Sequence, residues 1–410
     1  MGAEPAPQRG NVAVYRFAGM QLDRGRHELK GDGVVIPVEP QVFTLLVHLL
    51  ENRDRVVSKE ELLDSIWGTR FVTESTLTSR IKAARRAVGD DGRRQWIIRT
   101  VHGVGYRLVA EAVEVEPNED RVGAEPSQGP AGNQEIGFCW SPDGVCIARA
   151  THGQGPPLVK AANWLTHLDY DWQSPVWRHW LEALGRRYQV IRYDERGCGL
   201  SDWDVDDFSL DTWVQDLETV VGDVGVDRFP LLGISQGAAV AIAYAVRHPE
   251  RVSHLILYGS YARGWLANGG DERRHEQAQL LIDLARLGWG RRSPAFRQVF
   301  SSAFMPEGTR QQWQDFDELQ RRSTSPDNAA RFLQAFFELD VTELADQVRT
   351  PTLVLHSRGD QVWPFALGRQ LAARIPASRF VPLESSNHLI LEDEPAWPQF
   401  LSEIERFLST

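Results

Sequence analysis

Between residues 41 and 50, apolar side chains fall at Val42, Leu45, Leu46, Leu49 and Leu50, the one-face spacing of an amphipathic helix. Ahead of it, residues 15–38 break into short alternating segments punctuated by Gly19, Asp23-Arg24-Gly25 and Gly31-Asp32-Gly33, which predicts a small antiparallel sheet. Ser58, with Glu61 three residues on, is a helix-start signature and predicts a second helix. A third runs over about 74–88, with Leu77, Ile81, Ala84 and Val88 on one face, and stops before Gly89. Residues 97–108 read as two strands turning at Gly103-Val104-Gly105. Residues 111–135 carry seven acids and almost no large apolar residue after Val115, which predicts a flexible, self-repelling tether. From 136 onward strand and helix patterns alternate. The strand candidates are 157–161, 188–193, 229–232, 254–258, 352–356 and 378–382, the signature of a mostly parallel sheet covered by helices. Between 261 and 348 the strand pattern lapses into helical, aromatic-rich sequence.

A chain of 410 residues accommodates two domains. The net charge of −11 argues against a nucleic-acid partner until it is divided. Residues 1–110 hold 17 basic and 13 acidic side chains, a net of +4, and the remainder is left with −15. That asymmetry predicts a polyanion-binding head on an acidic body. Cys139 and Cys146 flank the turn sequence Ser141-Pro142-Asp143-Gly144 and could face each other across a hairpin, although two small buried thiols in a reducing compartment is the simpler reading. No leader pattern opens the chain and no apolar run reaches the ~18 residues of a membrane span, so a cytoplasmic protein with no membrane partner is expected. No metal or cofactor pattern is present, and none is expected.

The run Val57-Ser58-Lys59-Glu60-Glu61-Leu62-Leu63, then Ile66-Trp67-Gly68, and Thr100-Val101-His102-Gly103-Val104-Gly105-Tyr106-Arg107 resembles the winged-helix output domain of OmpR/PhoB-type regulators over about residues 12–110. The resemblance implies double-stranded DNA as partner, with the third helix in the major groove and the wing at the adjacent minor groove. It places Lys59, Trp67, Thr76, Arg80, Lys82, Arg85, Thr100 and Tyr106 at phosphate-contacting positions, and Thr76, Thr78, Ser79, Ala83 and His102 at base-reading positions. The residue types agree, since Lys and Arg neutralise phosphates and short hydroxyls meet base edges. Many relatives carry arginine where Ala83 and His102 stand, which implies softer base readout. No phosphate-accepting receiver pattern precedes the head, so a partner kinase is not the expected input.

Gly233-Ile234-Ser235-Gln236-Gly237 is a G-x-S-x-G elbow, the strand-to-helix turn that lifts a serine out of a sheet. Asp360 and His388 each follow a strand candidate, in the order serine, acid, histidine. With the Tyr193-to-Ser201 run containing Asp194-Glu195-Arg196-Gly197-Cys198-Gly199, these residues resemble the α/β-hydrolase family over about 136–410, with a helical lid at about 261–348. The resemblance implies a triad of Ser235, Asp360 and His388, in which histidine takes the serine proton and the carboxylate orients it. It implies oxyanion donors in the backbone N–H groups of Trp164 and Gln236, and a structural role for the Asp194–Gly199 run. One departure stands out. Where family enzymes carry His-Gly, this chain has Ala162-Asn163, and an asparagine in place of glycine changes the backbone freedom of the loop. Lys160, just upstream, reads as a strand-end charge.

The fold expected is therefore multidomain: a winged helix-turn-helix head (12–110), a tether (111–135) and an α/β-hydrolase-fold body (136–410). The leading functional reading is a one-component transcription regulator, a homodimer whose body binds a small, largely apolar effector, with RNA polymerase a further partner. The alternative is an active serine esterase or lactonase that hydrolyses its own inducer. A body serving only to dimerise is the third.

Overall fold

The computed structural model describes residues 14–24, 28–31, 34–36, 38–67, 74–115, 134–267, 272–289 and 295–409. The chain divides into two compact units, 1–127 and 128–410.

In the first unit β1 (Val14–Phe17), β2 (Met20–Asp23), β3 (Glu28–Gly31) and β4 (Val34–Ile36) form the expected antiparallel meander. Then come α1 (Pro40–Glu51), β5 (Val57–Ser58), α2 (Lys59–Trp67), α3 (Glu74–Ala87), β6 (Ile98–Val101) and β7 (Gly105–Leu108). The apolar stripes of the three helices meet in a core of Leu45, Leu46, Leu49, Leu62, Leu77 and Ile81. The second helix starts where its cap residue says it should: the Glu61 N–H donates to Ser58 Oγ at 3.0 Å, an interaction typically worth about 1 kcal/mol. β6 and β7 pair antiparallel as a wing, with β5 along the far side of β7.

The sequence reading missed one strand. β8 (Ala112–Val115) pairs antiparallel with β1, Val14 opposite Val115 and Phe17 opposite Ala112, and closes a five-stranded sheet in the order β4-β3-β2-β1-β8. The head thus extends beyond 110, and the first residues assigned to the tether are sheet. Residues 116–133, the rest of that assignment apart from its last two residues, lie outside the described residues.

The second unit runs β9 (Glu135–Trp140), β10 (Cys146–His152), β11 (Pro157–Lys160), α4 (Arg178–Gly185), β12 (Gln189–Tyr193), α5 (Leu210–Val224), β13 (Phe229–Ile234), α6 (Gly237–Arg247) and β14 (Val252–Tyr258). Five helices follow: α7 (Glu272–Gly288), α8 (Ala295–Phe304), α9 (Arg310–Ser323), α10 (Pro326–Glu338) and α11 (Thr342–Gln347). The chain returns to the sheet with β15 (Thr352–Ser357), α12 (Phe365–Arg374), β16 (Ser378–Leu383) and α13 (Ala396–Leu408). The eight strands lie in the order β16-β15-β14-β13-β11-β12-β10-β9. The six from β12 to β16 run parallel, and the β9–β10 hairpin is antiparallel at one edge. The parallel strands are covered on both faces and read as continuous apolar runs, as in Leu353, Val354 and Leu355. α6 is small and apolar on every side, from Ala238 to Ala245, and every one of those residues is buried. Its close fit over β13 and β14 fixes the turn that carries Ser235.

The hairpin register answers the cysteine question. Cys139 lies opposite Ile147 and Cys146 opposite Trp140. Successive residues of a strand point to opposite faces, so the two thiols are on opposite sides of the sheet and do not bond. Both are buried thiols outside any disulfide. No helix among the described residues is long and apolar enough to cross a membrane.

Candidate functional site

On the head, α3 turns Leu77, Ile81, Ala84 and Val88 inward and leaves Thr78, Lys82 and Arg86 exposed at i, i+4 and i+8. Ser79 and Ala83 are half-buried beside that stripe, and His102 is exposed at the wing turn. Lys59 and Thr76 are likewise half-buried. Arg80 does not belong to this face. It is buried and ion-paired with Glu39, at the start of α1, so its guanidinium serves the core instead of a phosphate. Arg85 is also committed: it donates to the Ile98 carbonyl at 2.8 Å and to Thr100 Oγ1 at 2.9 Å, tying α3 to the wing. Tyr106 is buried in β7 opposite Thr100. The Trp67 side chain lies outside the described residues. Of the expected contacts, Thr78, Lys82 and His102 are therefore presented to solvent, together with Arg86 of the same basic face, which the family resemblance does not place at a contact.

In the second unit β13 ends at Ile234 and α6 begins at Gly237, leaving Ser235 at the elbow with φ +53°. A non-glycine residue in the left-handed region is strained, and its neighbours hold it there. The Ser235 N–H donates to the Tyr258 carbonyl at 2.9 Å. Gly237 must be glycine because a Cβ there would collide with the Ala162 carbonyl. Asp360 and His388 come together as expected: His388 Nδ1 bonds Asp360 Oδ2 at 2.7 Å, and both side chains are fully buried. The other carboxylate oxygen accepts the N–H groups of Val362 (2.9 Å) and Trp363 (3.0 Å). The bond through Nδ1 leaves Nε2 of His388 as the atom to meet a serine proton, and Nε2 is buried with no hydrogen-bond partner. Gly259, at φ +58°, clears the space under the histidine ring that any side chain would fill.

A second histidine stands at the acid, where no sequence pattern placed it. His356, at the end of β15, donates from Nε2 to the Trp363 carbonyl at 2.7 Å, with the same atom 3.4 Å from Asp360 Oδ2. Burial lowers its pKa below the ordinary value, so it faces Asp360 as a neutral ring.

The loop that departs from the family pattern is held in an unexpected way. Asn163 has no positive φ; the left-handed residue is Leu165, at φ +62°. Asn163 is buried, its Oδ1 accepts from the Lys160 ammonium, and its Nδ2 donates to the Trp164 carbonyl at 3.2 Å. The backbone freedom that a glycine would supply is thus not needed here, and Lys160 is no surface charge. The backbone N–H groups of Trp164 and Gln236 donate to no acceptor among the described residues.

Above Ser235 lies a cavity of about 110 Å³, walled by Trp164, Phe300, Phe304, Phe336 and Trp363 among others, with no charged side chain among the described residues that line it. Of the lid aromatics, Trp265 and Phe337 also reach it, while Trp289, Phe316 and Phe332 are packing residues. The lid is tied down at two places. His388 and Leu389 donate their N–H groups to the Phe304 carbonyl at 2.8 and 3.3 Å. The Gly197 carbonyl accepts from Thr324 Oγ1 at 2.6 Å and Asn328 Nδ2 at 3.2 Å. In the same loop Asp194 receives the N–H groups of Leu168 (3.1 Å) and Leu200 (2.8 Å), and Arg196 forks onto Asp216 at 2.7 Å. The Asp194–Gly199 run is a bracket for the lid, as expected of a structural element.

Comparison with known proteins agrees with this geometry. Residues 172–395 match the family described as alpha/beta hydrolase fold, and residues 33–108 match the family described as transcriptional regulatory protein, C terminal. The AB hydrolase superfamily protein YisY of Bacillus subtilis is 27% identical over 241 residues, covering 58% of this chain and 86% of its own. Among solved structures, the esterase RhEst1 from Rhodococcus sp. ECU1013 is 26% identical with a TM-score of 0.56, covering 67% of this chain and 98% of its own. The enol-lactonase from Burkholderia xenovorans LB400, at 20% identity and a TM-score of 0.53 over 67% of this chain and all of its own, shares the fold. The chain belongs to the alpha/beta hydrolase fold family and carries, on the same polypeptide, the DNA-binding domain of OmpR/PhoB-type transcriptional regulators.

Proposed function

We propose that this protein is a one-component transcription regulator whose hydrolase-fold unit binds a small, neutral, largely apolar acyl compound at Ser235 and passes that occupancy to the DNA-reading unit. The observation that carries the reading is the cavity itself. Ser235 lies in a space closed by aromatic lid residues, and no described residue on its lining is charged, so among these residues a charged ligand would find nothing to replace its hydration. At about 110 Å³ the space is smaller than a drug-sized site of roughly 300–1,000 Å³ and suits a short acyl or ring-sized group. Ser235 and His388 act as hydrogen-bonding groups for the ligand. The DNA partner is engaged through Lys82, Arg86, Thr78 and His102, and the protein works in the cytoplasm as a homodimer that places two heads on one operator and acts on RNA polymerase there.

The test is a pair of titrations on the full chain. Phenyl acetate and other short neutral esters should raise the melting temperature, and Ser235→Ala should weaken that shift together with any ligand-induced change in DNA affinity. No shift with any short neutral ester would sink the sensor reading.

A second reading has its own support. The 2.7 Å His388–Asp360 bond and the two unclaimed N–H groups of Trp164 and Gln236 are the parts an acyl transfer needs. Under that reading the protein hydrolyses its inducer as a serine esterase; the Rhodococcus relative is named an esterase. Measured turnover decides between the two: a kcat on the order of 1–10³ per second makes the protein an esterase first.

A further inference from the structure

Each of the two N–H groups offered to an acyl oxygen is backed by a buried ionisable side chain that does not reach the cavity. Behind Trp164 stands Lys160, on the last turn of β11 into the loop. It is 7% exposed, and its direct hydrogen bond is to Asn163, which in turn bonds the Trp164 carbonyl. Its ammonium also lies 5.4 Å from the centre of the Trp177 ring. Behind Gln236 stands Glu195, 2% exposed, with Gln236 Nε2 donating to its Oε2 at 3.4 Å. The other oxygen of Glu195 is buried without a partner.

Burying two such groups is costly, and the rest of the core shows how a purely structural charge is handled here. Arg196 and Asp216, and Arg192 and Asp171, are matched in direct ion pairs at 2.7 Å. Among the described residues Lys160 and Glu195 make no direct ion pair with each other or with a third residue; each spends its hydrogen bond on a side-chain amide of the loop or the elbow. Without an opposite charge in direct contact, the burial of each group is left uncompensated by a direct pair. What the amides achieve is orientation of the peptide groups attached to them.

We propose that Lys160 and Glu195 are positioning residues which, through Asn163 and Gln236, hold the backbone N–H groups of Trp164 and Gln236 in register for an oxygen of a ligand at Ser235, doing the work of the absent His-Gly pair. The proposal rests on the reading of the Ser235 cavity as an acyl site. It predicts a dependence on pH. Burial pushes Lys160 down to about 8 and Glu195 up to about 8. The groups facing Lys160 are Asp171, Arg192, Asp194 and Glu195, and those facing Glu195 are Asp216, Lys160, Arg196 and Gln236, with Tyr193, Cys198 and Tyr261 also near it. The charges behind the two N–H groups therefore change around pH 8.

A fluorophosphonate on the full chain is the probe. Ser235 Oγ attacks phosphorus, the P–F bond breaks, fluoride leaves, and the Oγ proton passes to His388 Nε2, while the phosphoryl oxygen sits at the two N–H groups. In Lys160→Met and Glu195→Gln the labelling rate should fall on the order of tenfold to a hundredfold, within the cost of losing an oxyanion donor. The change in rate near pH 8 should flatten, and the melting shift given by phenyl acetate should remain. Lys160→Met and Asn163→Ala should combine less than additively, because they act through one another. Glu195→Gln keeps the shape of the side chain, so it tests the idea even where Lys160→Met fails to fold. Labelling at the wild-type rate with an unchanged pH profile in the folded variants overturns the proposal, as does parallel loss of labelling and phenyl acetate binding, the mark of a merely structural role. A wild-type chain that binds phenyl acetate but does not label overturns this proposal and leaves the cavity reading standing; a chain that does neither overturns both.

Discussion

Arginine does opposite work in the two units. On α3 the exposed members of the basic face, Lys82 and Arg86, point into water and make no ion pair among the described residues. In the hydrolase-fold unit Arg192 and Arg196 are sealed against Asp171 and Asp216 with almost no exposed surface. The first kind of charge acts at a distance on a polyanion and is weakened by salt; the second is insensitive to salt and cannot be removed without stranding its partner. Burial, more than residue type, decides which job is done. Arg80 makes the point within a single helix, since it lies between Ser79 and Ile81 yet is buried against Glu39.

The comparison breaks most visibly at Arg196. Arg196→Met leaves Asp216 buried without its partner, and should cost about 3–5 kcal/mol of stability in urea unfolding of the second unit. A loss under 1 kcal/mol would mean that these buried charges are not locked as described. Next in size is the head. Lys82→Ala with Arg86→Ala should leave the fold intact and reduce the slope of log affinity against log salt by about 1.8, the release of two counterions. Arg80→Ala should do the reverse, lowering the melting temperature of the head with a smaller change in salt slope. Equal salt effects from both variants would erase the distinction between the faces. A finer test uses pH. Glu195 titrates near 4.5 when unfolded and near 8 when buried, so the folded chain keeps a proton that the unfolded chain has released across that window. Stability should therefore fall as pH rises from about 4.5 to 8, and Glu195→Gln should flatten that slope. The smallest effect is His102→Ala, which should shift DNA affinity or sequence preference modestly, read in a competition binding assay.

Patterns repeated over several residues were legible in the sequence. The six parallel strands, the Ser58 helix start, the wing and the elbow each rest on a local spacing, and each is present. β8 was hidden because Ala112-Val113-Glu114-Val115 opens an acidic stretch, and only its pairing with β1 makes it a strand. Arg80 could have been caught: it lies three residues after Leu77 and four before Ala84, on the buried stripe. His356 and Lys160 could not. Their roles come from contacts made after the chain folds, His356 with the Asp360 carboxylate and Lys160 with the side chain of Asn163. The Ala162-Asn163 substitution looked like damage because the family's glycine was missing, and the substitute support stands upstream in the strand.

The Phe304 carbonyl, at the end of α8, holds the N–H groups of His388 and Leu389. The backbone of His388 thus hangs from the lid. Lifting α8 would break both bonds and with them the backbone support of His388. A ligand too bulky to leave α8 in place would then lie beside Ser235 with His388 no longer held from the lid.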